Sequence, residues 1–138
     1  MDWMRGYHAD SGYTYGYYAE TMPSRLRWAA LIQGQSAPRS SFRYLDAGCG
    51  QGFNIILAAA AHPDSEFVGL DFMPNHVAHA RNLAKRCGLT NVTFLEADFV
   101  ELSTDVSGLK ALGEFDYAVC HGISTWIAPV VKNALFKL

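Results

Sequence analysis

Leu45-Asp46-Ala47-Gly48-Cys49-Gly50-Gln51-Gly52 is the stretch on which the reading of this chain turns. Arg43-Tyr44-Leu45-Asp46 reads as a short strand, and the Ala-, Ile- and Leu-rich run Gly52 to Ala61 as a helix. The glycines between them let the backbone turn sharply and approach a ligand with no Cβ in the way. The spacing is G-x-G-x-G. It differs from the dinucleotide pattern G-x-G-x-x-G and from the phosphate-binding G-x-x-x-x-G-K-[ST]. No lysine opens the helix, which disfavours ATP. Asp46 would repel a pyrophosphate but attract an ammonium or sulfonium group. The alternative is a tight strand-to-helix turn with no ligand.

Outward from this stretch, strands and helices alternate. Glu66 to Asp71 reads as a second strand and Asn91 to Leu95 as a third. The last strand spans Phe115 to His121. Pro74 to Cys87 is helical, with Val77, Ala80, Ala84 and Cys87 on one face and Gly88 just past the end. A weaker helix spans Phe99 to Leu109, and a last one runs from Pro129 to Leu138 with Val131, Ala134, Leu135 and Leu138 on one face. Before the glycine stretch, Pro23 opens a helix to Ile32, with Leu26, Ala29, Ala30 and Leu31 as its apolar side. A polar linker, Gly34 to Ser41, follows. Alternation of this kind builds an α/β fold, a parallel sheet with helices on both faces. Ligands of such sheets sit beyond the carboxyl ends of the strands.

Three further motifs fall at strand ends. Asp71 lies 19 residues after Gly52, a spacing at which a carboxylate accepts from ribose hydroxyls. Its other reading is a solvated helix cap. Phe72 and Met73 beside it suit an adenine face. Glu96-Ala97-Asp98-Phe99 offers a carboxylate for an adenine amino group and a ring beside it, although Asp98 alone reads equally as a helix N-cap. His121-Gly122 forms a bend facing the same cleft, and Asp116 belongs at the opposite end of that strand.

Together these motifs resemble the class I S-adenosylmethionine-dependent methyltransferases, over residues 42 to 138. The resemblance implies a Rossmann-like sheet of strand order 3-2-1-4, incomplete at about four strands, with S-adenosylmethionine as cofactor. It gives Asp46, Ala47, Gly48, Cys49 and Gly50 the methionine part, Asp71 and Phe72 the ribose and adenine, and Ala97, Asp98 and Phe99 the adenine edge. His121 and Gly122 would border the donor methyl. A narrower resemblance lies in Gly12 to Tyr18 and in His121 to Pro129. Both are similar to bacterial methyltransferases with a C-terminal regulatory domain, a group that includes protein-lysine methyltransferases. Residues 1–41 would then be a lid or cap with one helix, and 42–138 the N-terminal part of the methyltransferase domain. The chain stops after the fourth strand and its helix, where family members continue with three more strands. The acceptor is open between protein lysine and a small molecule.

For the chemistry, His121, Tyr13, Tyr15 and Tyr17 are candidate bases, with Trp126 at the substrate entrance or anchoring the last helix. The tyrosines from Tyr7 to Tyr18 read as a lid over the methionine end. His76 and His79 read as a solvated helix face with no third ligand, so no metal is expected.

Composition bounds the alternatives. The chain has 138 residues, a length for one domain. It is 50% hydrophobic, 17% charged and 13% aromatic, as a packed globular protein is. Eleven basic against thirteen acidic residues give −2, so nothing favours nucleic-acid binding by charge alone. No apolar run is long enough to span a membrane, and the first residues do not read as a secretory signal. Cys49, Cys87 and Cys120 form neither a disulfide framework nor a zinc site, which reads as a cytoplasmic protein with reduced thiols. Two other functions compete. One is a truncated inactive remnant, or an interaction module that a partner completes. The other is an NAD-dependent oxidoreductase, against which the glycine spacing and Asp46 both count.

Overall fold

The computed structural model describes residues 4–7 and 15–138. A single 3-10 turn at Ala19–Thr21 leads into α1 (Pro23–Ile32). Then come β1 (Arg43–Ala47), α2 (Phe53–Ala61), β2 (Glu66–Asp71), α3 (Pro74–Arg86) and β3 (Val92–Glu96). Two short helices follow, α4 (Phe99–Thr104) and α5 (Val106–Leu112), then β4 (Tyr117–Val119) and α6 (Pro129–Leu135). The four strands form one parallel sheet in the order β3-β2-β1-β4. This is the expected α/β sheet with the expected strand order.

Alternation along the strands sends side chains to two apolar layers. Tyr44, Phe67, Phe94 and Tyr117 pack with Ile55 and Ile56 of α2 and with Val77, Ala80 and Ala84 of α3. Leu45, Ala47, Val68 and Leu70 pack on the other face with Phe99 of α4 and with Val131, Ala134 and Leu135 of α6. β1 and β2 are inner strands, buried on both faces, so their sequences are nearly continuous apolar runs. At their amino ends, the Arg43 amide donates to Asp116 Oδ2 at 2.8 Å, which fixes Asp116 far from the strand ends that form the cleft.

Several boundaries differ from the sequence reading. The helix expected over Phe99 to Leu109 is two helices, broken at Asp105. Asp105 leaves helical geometry (ψ 87°) and its carboxylate accepts from the Ser107 amide, so it ends one helix and caps the next. β4 is three residues rather than seven, because only Tyr117, Ala118 and Val119 meet β1 along this sheet edge. α6 stops at Leu135, which leaves Leu138 36% exposed instead of on the buried face. Cys87 caps α3 and is exposed, not part of its apolar face. On α1, Leu26 packs on the core but Ala29 and Leu31 are exposed, so its apolar residues are not one buried stripe.

The glycine stretch needs its glycines for packing as well as for turning. Gly52 sits at φ +79°, and a Cβ there would lie 2.6 Å from the Ala80 Cβ and 2.9 Å from the Phe94 ring. This close approach lets the start of α2 lie against α3 and β3. We expect Gly52→Ala to cost more than about 2 kcal/mol, from left-handed strain and overpacking together. Chemical denaturation measures it; a loss below about 0.5 kcal/mol would contradict the packing argument.

Candidate functional site

The carboxyl ends of β1, β2 and β3 each deliver an acidic residue, and the glycine stretch joins two of them. The Gly48 and Cys49 amides both donate to the Leu70 carbonyl, at 2.7 and 2.9 Å. The Gly50 amide donates to Asp71 Oδ2 at 2.8 Å. The loop after β1 is therefore held against the end of β2 by three amides. Asp71 Oδ1 accepts from the Met73 amide at 2.9 Å, which closes the turn into α3, and lies 3.2 Å from His76 Nδ1. Asp71 is buried, not the solvated cap of the alternative reading. His76 is also not on a solvated face; its side chain is 12% exposed and pairs with Asp71. His79 meets the Tyr15 ring edge-on at 5.9 Å.

Asp46 has a different environment. It is 6% exposed, and its side chain makes no hydrogen bond among the described residues. Burial, with the Asp71 carboxylate nearby, pushes its pKa up to about 7. A buried carboxylate with no donor is a site that favours a cation. The same burial, with Asp46 and Asp71 adding negative potential, pushes the Cys49 thiol well above its ordinary range, so Cys49 packs rather than reacts.

Asp98 takes the helix-cap part open to it in the sequence. Its Oδ1 accepts from the Val100 and Glu101 amides and caps α4. Its Oδ2 is buried and accepts no hydrogen bond among the described residues, although Arg5 Nη1 is 2.9 Å away. The Tyr7 ring, whose hydroxyl reaches Asp98, contacts both Phe72 and Phe99. Ala97 donates its amide to the Asp71 carbonyl at 2.9 Å, which ties the end of β3 to β2.

The fourth strand end carries His121 and Gly122. His121 Nε2 lies 3.0 Å from Glu20 Oε1, and the Tyr18 ring packs on the imidazole with centroids 4.2 Å apart and planes tilted by 34°. Ile123 just beyond fills the space over Gly48, where a Cβ would come within 2.7 Å of it. The N-terminal segment reaches this region through Asn54, which accepts from the Tyr18 amide and donates to Thr21 Oγ1, both at 2.8 Å.

The tyrosines expected to lie over one end of the cleft are spread along it. Tyr7 is at Phe72 and Asp98, Tyr15 on Phe53 at 4.6 Å, and Tyr18 at His121. Tyr17 is 57% exposed. Tyr13 lies outside the described residues. Trp126 is 53% exposed and shares a cavity of about 500 Å³ with Gly6, Tyr7, Thr125 and Ile127. Sequence reasoning missed Arg5, Glu20, Asn54 and His76. Of these only Asn54 carried a signal, a polar residue inside an apolar helix.

A methyltransferase-domain family matches residues 38–136. The chain belongs to the class I S-adenosylmethionine-dependent methyltransferase family. Protein sll1526 of Synechocystis sp. is 35% identical over 137 residues, 98% of this chain and 26% of that protein. PKMT2 from Rickettsia typhi, in a structure with AdoHcy, is 26% identical with a TM-score of 0.80, over 90% of this chain and 23% of that one. A tRNA (guanine-N(7)-)-methyltransferase of Bifidobacterium longum is 41% identical over 58 residues, 42% of this chain and 20% of that protein. The chain thus spans about a quarter of the length of the first two relatives and a fifth of the third. Among the described residues, no helix is long and apolar enough to cross a membrane.

The raised pKa of Asp46 has a stability consequence. Between about pH 4 and 7 the unfolded chain has lost this proton while the folded chain keeps it. Folding stability therefore falls as pH rises through that window, by up to about 4 kcal/mol, and the penalty is complete above pH 7. Asp46→Asn should melt higher than the parent at pH 8, with the difference closing towards pH 4. Equal melting at both pH values would contradict the environment assigned to Asp46.

Proposed function

We propose that this cleft binds S-adenosylmethionine and presents its methyl group to an amine acceptor. The observation that carries the reading is the Gly50–Asp71 hydrogen bond, which joins a glycine cradle to an acid at the end of the neighbouring strand. Two further features support the fit. Among the described residues the buried Asp46 side chain makes no hydrogen bond, and Asp98 Oδ2 is a buried acceptor with none. In this reading Ala47, Gly48, Cys49 and Gly50 cradle the methionine part beside Asp46. Asp71 takes the ribose hydroxyls. Phe72 and Phe99 flank the adenine, Asp98 accepts from its amino group, and the backbone at Ala97 lies along its edge.

The bound cofactor supplies a sulfonium methyl, ready for in-line displacement by a nucleophile. The chain's part is to bind, align and exclude water. Asp46 offers negative charge to the cationic cofactor, and a cation beside it favours its ionised form. A protein-lysine side chain is the acceptor we propose, and it must lose a proton before it attacks. His121 is the group we assign to that proton, held by Glu20 Oε1 and covered by the Tyr18 ring. A carboxylate and an aromatic face beside the bend suit an ammonium group arriving from solvent. The net charge of −2 offers no basic surplus for a polyphosphate acceptor such as tRNA.

Calorimetric titration tests the binding reading. S-adenosylmethionine and AdoHcy should bind in the micromolar range and NAD should not. Asp71→Ala should weaken both by about 1–3 kcal/mol, the scale of hydrogen bonds lost to a charged group. Binding of NAD instead, or affinity indifferent to Asp71, would overturn the assignment.

A further inference from the structure

Arg5 and Tyr7 meet the adenine end of the cleft in an arrangement that imitates a nucleobase. The Tyr7 ring stacks on Phe72 with centroids 4.0 Å apart and planes 4° from parallel. Phe99 closes one side, its ring centroid 5.9 Å away. The Tyr7 hydroxyl accepts from the Phe99 amide at 2.7 Å and donates towards Asp98 Oδ1 at 3.4 Å. A phenol is one of the few side-chain groups that both accept and donate from the edge of an aromatic plane. Adenine does the same with a ring nitrogen beside its amino group. Arg5 Nη1 completes the imitation, 2.9 Å from Asp98 Oδ2 and 2.7 Å from Glu101 Oε1.

The segment is held there by backbone as well. Tyr7 pairs with Ile127 in an isolated antiparallel bridge, and the Ala128 amide donates to the Gly6 carbonyl at 2.8 Å. Arg5 holds a left-handed backbone (φ +48°), unfavourable for a residue with a Cβ, so the contacts it makes offset a conformational cost. Burial pushes the Tyr7 hydroxyl far above its ordinary pKa, so it stays protonated and able to donate. The cavity of about 500 Å³ bordered by Gly6, Tyr7, Thr125, Trp126 and Ile127 gives the ring somewhere to go.

We propose that Tyr7, with Arg5, is a built-in competitor for the adenine subsite: it occupies Phe72, Asp98 and the Phe99 amide when cofactor is absent and must vacate them for the nucleoside to bind. The inference rests on the assignment of that subsite under the proposed function. Such an occupant lowers apparent affinity by the fraction of chains in which it is seated. It also keeps two aromatic faces and a buried carboxylate covered between ligands.

The test is calorimetry of AdoHcy and of adenosine with the parent chain, Tyr7→Ala, Tyr7→Phe and Arg5→Ala. Removal of the competitor should tighten AdoHcy about three- to tenfold in Tyr7→Ala. Adenosine should gain by the same factor, because the competition is confined to the nucleoside end. Tyr7→Phe keeps the stack and loses both hydroxyl contacts, and Arg5→Ala loses a half-exposed ion pair; both should bind more tightly than the parent by smaller factors. These two milder changes keep the test decisive if Tyr7→Ala fails to fold. Weaker or unchanged AdoHcy binding in the variants, with the parent binding well, would make Tyr7 part of the pocket wall and overturn this inference alone. No AdoHcy binding by parent or variants would instead remove the cofactor assignment and this inference with it.

Discussion

The Asp71 carboxylate holds the cleft together. One oxygen takes the Gly50 amide, the other takes the Met73 amide and faces His76. A single side chain thus fixes the loop after β1, the turn into α3 and an imidazole from the first turns of that helix. Hydrogen bonds to a charged acceptor are stronger than neutral ones and lose much when one partner goes. The carboxylate can bear this arrangement in a buried place because amide donors meet it. Asp46, one strand over, has no such donors among the described residues, and burial pushes it towards its neutral form. The contrast between two acids at adjacent strand ends divides the cleft: one is met by amide donors, the other is buried with its pKa raised.

The glycine stretch depends on this arrangement and repays it. With Gly48 and Cys49 both donating to the Leu70 carbonyl, the loop cannot swing away from β2 without exposing several polar groups. Glycine at position 52 lets α2 approach Ala80 and Phe94, so the loop is pressed from below as well as tied from the side. The cleft floor is set by packing, and the methyltransferase-domain family to which the chain belongs is recognisable in the same residues. The roof is different. Its described residues place Tyr7 at Asp98 beyond β3 and Tyr18 at His121 beyond β4, with Asn54 tethering Tyr18 and Thr21.

Much of the floor was legible in the sequence because short-range chemistry determines it. Strand–helix alternation, the G-x-G-x-G spacing and the acid 19 residues on each describe a local turn or a strand end. Parallel topology then brings strand ends together without further instruction, which is why Asp46, Asp71 and Asp98 fall along one edge. The missed features are long-range pairings. His76 reads as a surface histidine until the turn after β2 places it beside Asp71. Arg5 and Glu20 carry no local signal; only the fold brings them to Asp98 and His121. The break at Asp105 was hidden for another reason: the apolar pattern runs through it, and a side-chain cap overrode that pattern.

Structure determination of the chain with AdoHcy tests the central claim most directly. The account predicts ribose hydroxyls on Asp71 with the Gly50 contact preserved, the adenine amino group on Asp98 between Phe72 and Phe99, and Tyr7 gone from that position. A ligand bound elsewhere, or one seated at this cleft without touching Asp71, would contradict it.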